Sequence, residues 1–171
     1  TTCTNFKVHT FTGPGTFTVS CAGNAAGSNT VSYVVVAGGG GGARGSGAGA
    51  GGFRESRASD DSYTASPLNA TSGSTFDLPV AGPTTFPITV GAGGAGSAAG
   101  TPNPGTSGSS SIFSTITSAG GGRGNDYGPS GTPGGSGGGV GSAGPGAGGN
   151  GNDPPVAPPQ GNKGGDHPGS H

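Results

Sequence analysis

The sequence predicts an all-β fold: a small antiparallel, sandwich-like β framework carrying glycine-rich loops and polyglycine- or polyproline-II-type segments. Three observations lead there. β-Branched and aromatic residues gather in short period-two runs, and nothing shows a sustained helical period with caps. Glycine supplies 44 of 171 residues and proline 15, while hydrophobic residues reach only 27%, so a conventional core occupies only part of the chain. Glycines near the C-terminal end recur at every third position, the repeat of the polyproline-II helix.

The elements follow in chain order. In "NFKVHTFT", Phe6, Val8 and Thr10 alternate with Lys7, His9 and Phe11. "TFTVSC" then places Phe17, Val19 and Cys21 on one face, and the intervening Gly13-Pro14-Gly15 reads as the turn of a β-hairpin. Residues 30–37, "TVSYVVVA", read as a strand. It runs into a glycine tract at 38–52 with no side chains able to form a core. Residues 53–75 are polar and loop-like. "TFDLPV" (75–80) and "TTFPITV" (84–90) read as strands whose prolines favour edge positions. "SSSIFSTITSA" (109–119) reads as one more strand pair. The expected framework core is Phe6, Val8, Phe17, Val19, Val34, Val36, Phe86, Ile88, Ile112 and Phe113. Two units are expected: residues 1–124 as a glycine-rich β-domain, and 125–171 as a Gly/Pro-rich tail, either polyproline-II-like or flexible. Glycines 131, 134 and 137 keep one phase of the threefold repeat, and glycines 135, 138 and 141 a shifted one. Collagen needs a single phase, so packed polyproline-II-type strands fit better.

Charge narrows the function. Six basic residues, scattered against seven acidic ones, form no stripe for phosphate, so no nucleic acid is expected as partner. No apolar run approaches the roughly 20 residues of a membrane span. Thr1 is not an initiator, so a processed product or a fragment of something longer is expected. Cys3 and Cys21 are the candidate disulfide pair; a bridge would contribute about 3 kcal/mol by chain entropy, and the alternative is two small buried hydrophobes. The Asn69-Ala70-Thr71 sequon fits an extracellular life.

Chemical motifs fail their context tests. Gly91, Gly93 and Gly96 spell GxGxxG, but a helix-breaking stretch follows where the pyrophosphate-binding helix should begin. "GGSGG" at 134–138 lacks the strand and helix of a nucleophile elbow. His167 and His171 are separated by Pro168 and Gly169, which oppose a helix aligning them on a metal. No catalytic residue, cofactor or metal site is therefore expected, and the chain reads as non-enzymatic. Candidate surface contacts are Arg54, Arg57, Tyr63 and Tyr127, aromatic and arginine side chains of the kind that make contact hot spots.

The ordered string "HTFTGPGTFTV", "NTVSYVVVAGGGGGA", Gly51-Gly52-Phe53, "ITVGAGGAG", "SGSSSIF" and "TSAGGGRG" resembles the glycine-rich domain of bacteriophage tail fibre and appendage proteins, over about residues 6–124. The resemblance implies a structural or adhesin role at the virion surface. It implies a homo-oligomer such as a trimer, with other virion proteins and a host surface receptor or glycan as partners. It also implies a sandwich of polyglycine-II helices, with the loop Arg54 to Tyr63 and the tract 97–108 as exposed tips. On this reading Val at Gly93 or Gly121 would disrupt assembly by steric exclusion. The alternatives are a secreted cell-surface or extracellular filament protein and a glycan- or ice-binding module with a glycine-rich face; the ice reading wants a regular Thr or Ala row.

Overall fold

The computed structural model describes residues 2–3, 6–21, 29–58, 61–68, 76–77, 83–98, 103–126, 130–141 and 145–169. Ten short strands occur in chain order: β1 (Thr2–Cys3), β2 (Phe6–Lys7), β3 (Gly15–Val19), β4 (Thr30–Val31), β5 (Tyr33–Val36), β6 (Phe53–Ser56), β7 (Phe76–Asp77), β8 (Thr84–Thr89), β9 (Ser111–Phe113) and β10 (Ile116–Ser118). All strand pairs are antiparallel, so the fold is all-β as the alternation predicts. The largest sheet has the order β10-β9-β8-β3, and β5-β6 packs against its β9 and β10 side.

The expected hairpin around Pro14 does not form. β3 pairs instead with β8, from Gly15 opposite Ile88 to Val19 opposite Thr84, while β2 pairs with β1. Local turn chemistry proposes a partner, but burial of Phe17 against Phe86 and Phe113 selects a distant one. Pro79 lies outside the described residues, and Pro87 differs from expectation, since β8 lies between β3 and β9. Its pairing with β9 begins only at Ile88, so Pro87 still has an unpaired flank on that side.

The core consists of Val19, Val35, Phe86, Phe113 and Ile116, flanked by Phe17, Val31, Tyr33 and Ile88. Phe113 is its hub: Phe17 and Phe86 meet it edge-on at 6.0 Å, and Tyr33 at 6.2 Å. Such pairs add about 0.5–1.5 kcal/mol beyond area burial. The parity of β5 is opposite to expectation, with Val34 and Val36 exposed and Val35 buried. Val8, also expected inside, is 51% exposed. "YVVV" offers an apolar residue at either parity, and tertiary contact decides: the Ser118 hydroxyl donates to Val35 O at 2.7 Å from the neighbouring strand. Val35→Ala should therefore cost about 1.5–3 kcal/mol in urea unfolding, against about 0.5 or less for Val34→Ala.

Glycine segments leave these strands directly. β5 runs into 38–42, and 47–52 runs into β6; β8 runs into 91–97, and 105–109 into β9; 119–125 follows β10. They are neither helix nor sheet, because their hydrogen bonds step by three residues. Gly121 and Gly124 donate to Gly38 and Gly41 in parallel. Gly38 and Gly41 donate to Ser109 and Thr106 in antiparallel fashion. None of these segments contains a positive-φ residue. This is polyproline-II-type backbone satisfying its polar groups sideways, on neighbours, where an isolated helix of this kind would leave them to water.

The bonding sorts nine segments into three layers. The first holds 91–97, 38–42 and 47–52, and the middle one 105–109, 119–125, 136–141 and 161–167. The third holds 130–134 and 146–151. Residues 130–141 and 145–169 thus join the earlier segments by backbone hydrogen bonds, such as Ser136 N to Ala50 O at 3.0 Å. The change in composition at residue 125 does not coincide with a break in the network. The shift in glycine phase coincides with a bend at 134–136, where the chain reverses from the third layer to the middle one.

Candidate functional site

Because β5, β6, β8, β9 and β10 each join a glycine segment, their sheets sit at one end of the array and several chain reversals at the other. The described parts of those reversals are 43–46, residues 98 and 103–104, residues 126 and 130, and residues 141 and 145. The first is a closed turn: Ala43 and Ser46 exchange backbone hydrogen bonds at 3.1 and 3.2 Å, and Gly45 has φ 78°. Arg44, 71% exposed, reaches the 5%-exposed Asp126 at 3.8 Å and ties this turn to the next reversal. The Asn125 amide donates to Ser130 O across that same reversal. His167 is not part of a described metal pair: it exchanges backbone hydrogen bonds with Gly146, and His171 lies outside the described residues.

The second surface lies beside the sheets. Arg54–Ser56 belongs to β6 and is not an exposed tip, with Glu55 5% exposed and Ser56 fully buried. The Glu55 carboxylate accepts from Ser66 N at 2.9 Å, and the Ser32 hydroxyl donates to Asp61 while accepting from Ala58 N. These bonds tie the segment after β6 down, and among its described residues 62–64 and Pro67 are exposed. Arg54 donates weakly to Thr117 O at 3.5 Å. Arg57 donates to Asp61 O and lays its guanidinium 5.8 Å from the Tyr63 ring centre. Partial burial raises the Tyr63 phenol above its usual range, and the charges of Glu55 and Asp61 add to the effect. The structure therefore brings Arg57 and Tyr63 together, with Arg54 facing β10; Tyr127 lies outside the described residues. The tract 97–108 is only partly a tip, since Gly105 is buried and Thr106 to Ser109 bonds into the array.

Cys21 is an exposed free thiol, and the Cys3 side chain lies outside those described, so the expected bridge is not among the structure's links. No group of three or more His, Cys, Asp or Glu side chains converges among the described residues. No helix there is long and apolar enough to cross a membrane.

Two residues that sequence reasoning passed over hold the framework end together. Gln160, 2% exposed, accepts from Ala119 N at 2.8 Å through Oε1 and donates to Pro154 O at 2.8 Å through Nε2. Asn152, at φ 53°, accepts from Val156 N and Gln160 N with its amide oxygen. Within "DPPVAPPQ", a stretch resembling a linker, the one long polar side chain was the available signal.

Fold and site together define a glycine-rich β framework that carries a stack of polyproline-II-type segments. The glycine-rich domain profile matches residues 11–171, and the chain belongs to that family. No curated relative and no solved structure matches it.

Proposed function

We propose that this chain is a non-enzymatic virion structural protein, part of a phage tail fibre or surface appendage, which displays its distal reversals to a host surface receptor or glycan. One observation carries the reading: the glycine segments leave the sheets and turn back at the opposite end of the array. A stiff stack of backbone with little side-chain bulk holds short turns at fixed spacing, which spares the ordering cost that flexible loops bear on binding. Sequence can change in such turns without repacking the array. The setting is the virion surface or the extracellular space, with other virion proteins at the sheet end.

The test is adsorption of the purified chain to candidate host cells. Arg44→Glu, which also sets a like charge beside Asp126, should cut adsorption at least tenfold while circular dichroism at the assay temperature shows the fold retained. Unchanged adsorption in this variant, with loss in Tyr63→Ala, would move the contact to the sheet end and overturn the distal-tip reading. A second reading has its own observation: Ala92, Ala95 and Ala98 are all exposed at a spacing of three, beside exposed Thr106 and Ser109. That is the regular row an ice-binding face requires, and thermal hysteresis in a freezing-point measurement would favour it.

A further inference from the structure

Among the described residues the array leaves a place open beside 136–141, and the same molecule carries a segment suited to fill it. In the middle layer, 136–141 is bonded to 119–125 on one side and to 161–167 on the other. It also bonds to 47–52 above it, and 130–134 and 146–151 bond to it from below. The sixth place around it, between 47–52 and 161–167, is an open groove of about 420 Å³. Its floor is Gly139, whose Cβ would point between Gly47 and Gly165, 3.3 Å from Gly47 O and 3.8 Å from Gly165 O.

The glycines here are not demanded by the fold. Inside the array an added Cβ would overlap neighbouring backbone, as at Gly40, Gly121 and Gly138. At Gly47 and Gly165 nothing lies within 4 Å of it. A bare backbone where the chain's own packing leaves room is what a close-approaching outside backbone needs. The polar groups agree, since Gly47 N–H, both backbone groups of Ala48 and Gly165 N–H have no partner among the described residues. Charge is already settled at the rim, where Lys163 and Asp166 pair at 2.6 Å and Gly148 N–H also donates to Asp166. Those contacts hold the Asp166 carboxyl below its ordinary range. The occupant is therefore an uncharged extended backbone with small side chains.

The segment 91–97 has those properties. It is the outermost member of the first layer, its backbone bonded to 38–42 and 105–109 and its Gly91 N–H to the Ser111 hydroxyl, and it holds nothing larger than Ala and Ser. Gly93 and Gly96 are exposed, and neither their N–H nor their C=O groups have a partner among the described residues. A Cβ on Gly93 would lie 3.8 Å from its nearest neighbour, so its glycine too is not required internally. Seven residues at about 3.1 Å each span roughly 22 Å, enough to cover the six groove residues 45–50. Exposed ladders of unpaired backbone groups recruit a further strand in sheets, and the same logic holds here with weak Cα–H contacts added.

We propose that the edge segment 91–97 of one copy lies in the groove of a second, with groove and ridge as the two halves of a heterologous contact. Such a contact propagates into a ring or a filament, because each copy keeps one free half.

Light scattering on the full chain tests this with Gly93→Val and Gly165→Val, both at positions where the fold has room. Wild type should rise in mass with concentration. Each variant should stay at 15.6 kDa with an unchanged melting temperature. Mixing the two should restore association, but only to a 1:1 pair, since one variant keeps the groove and the other the ridge. Three results would each overturn the proposal: a wild type monomeric up to millimolar concentration, variants that associate like wild type, or a mixture that stays monomeric. Adsorption of the Gly165→Val monomer to cells reads the distal reversals separately, so the two proposals can fail independently.

Discussion

Gly121→Ala is expected to destabilise the protein by about 3 kcal/mol or more, at or beyond the top of the range for overpacking. Gly121 lies in the central segment of the array, with neighbours in its own layer and in the one above. A single methyl there would stand 2.7 Å from Ala50 O and closer still to Gly49 O, and both obstacles are backbone. No rotamer relieves the overlap, so whole segments must separate and stretch Gly121 N to Gly38 O, now 2.9 Å, with the bonds beside it. For a chain of this size that corresponds to roughly 6–12 °C in melting temperature. Gly93→Ala is the matched control. Its φ is not positive and its Cβ has space, so it should be neutral or stabilise by about 0.4–1 kcal/mol through the unfolded state. Calorimetry of the two variants checks the pair, and equal effects would contradict the array. Within the chain's own packing, then, bulk is excluded at Gly121 and has room at Gly93, so any effect of Val at Gly93 on assembly has to arise between copies.

Gln160→Leu should cost about 2–5 kcal/mol. Leucine has a similar volume, so the loss is of hydrogen bonds and not of bulk. Ala119 N–H and Pro154 C=O both lose their partner, and Ala119 is only 6% exposed. A buried polar group left unpaired costs about 1–3 kcal/mol. The effect should spread, because Gln160 O also accepts from Phe53 N at the start of β6. Hydrogen exchange should show the Ala119 and Phe53 amides opening early. Asn150→Ala, at an exposed side chain, should stay within about 0.5 kcal/mol. A Gln160→Leu protein as stable as wild type would mean that water replaces both bonds.

By itself the sequence determined the class of fold and where most of its strands lie. Short β-branched and aromatic runs bounded by glycine can do little but pair, so β5, β7, β8 and the β9-β10 hairpin fall within the stretches read as strands. The threefold glycine repeat announced polyproline-II-type packing, since only a period-three backbone puts every third residue on one side. Tertiary structure alone decided the partners. Gly13-Pro14-Gly15 has the residues of a hairpin turn, yet β3 pairs with β8 because that burial is worth more than a local turn. Three consecutive valines carry no parity, so only the contact with β10 settled which of them is inside. Glycine, lacking a side chain, records nothing about its neighbours: Gly93 and Gly121 read alike in the chain, and only the array distinguishes an open edge from a crowded centre. The tail looked like a linker for the same reason, because its order comes from backbone bonds to segments more than 80 residues away, as from Ser136 to Ala50, and from one buried glutamine.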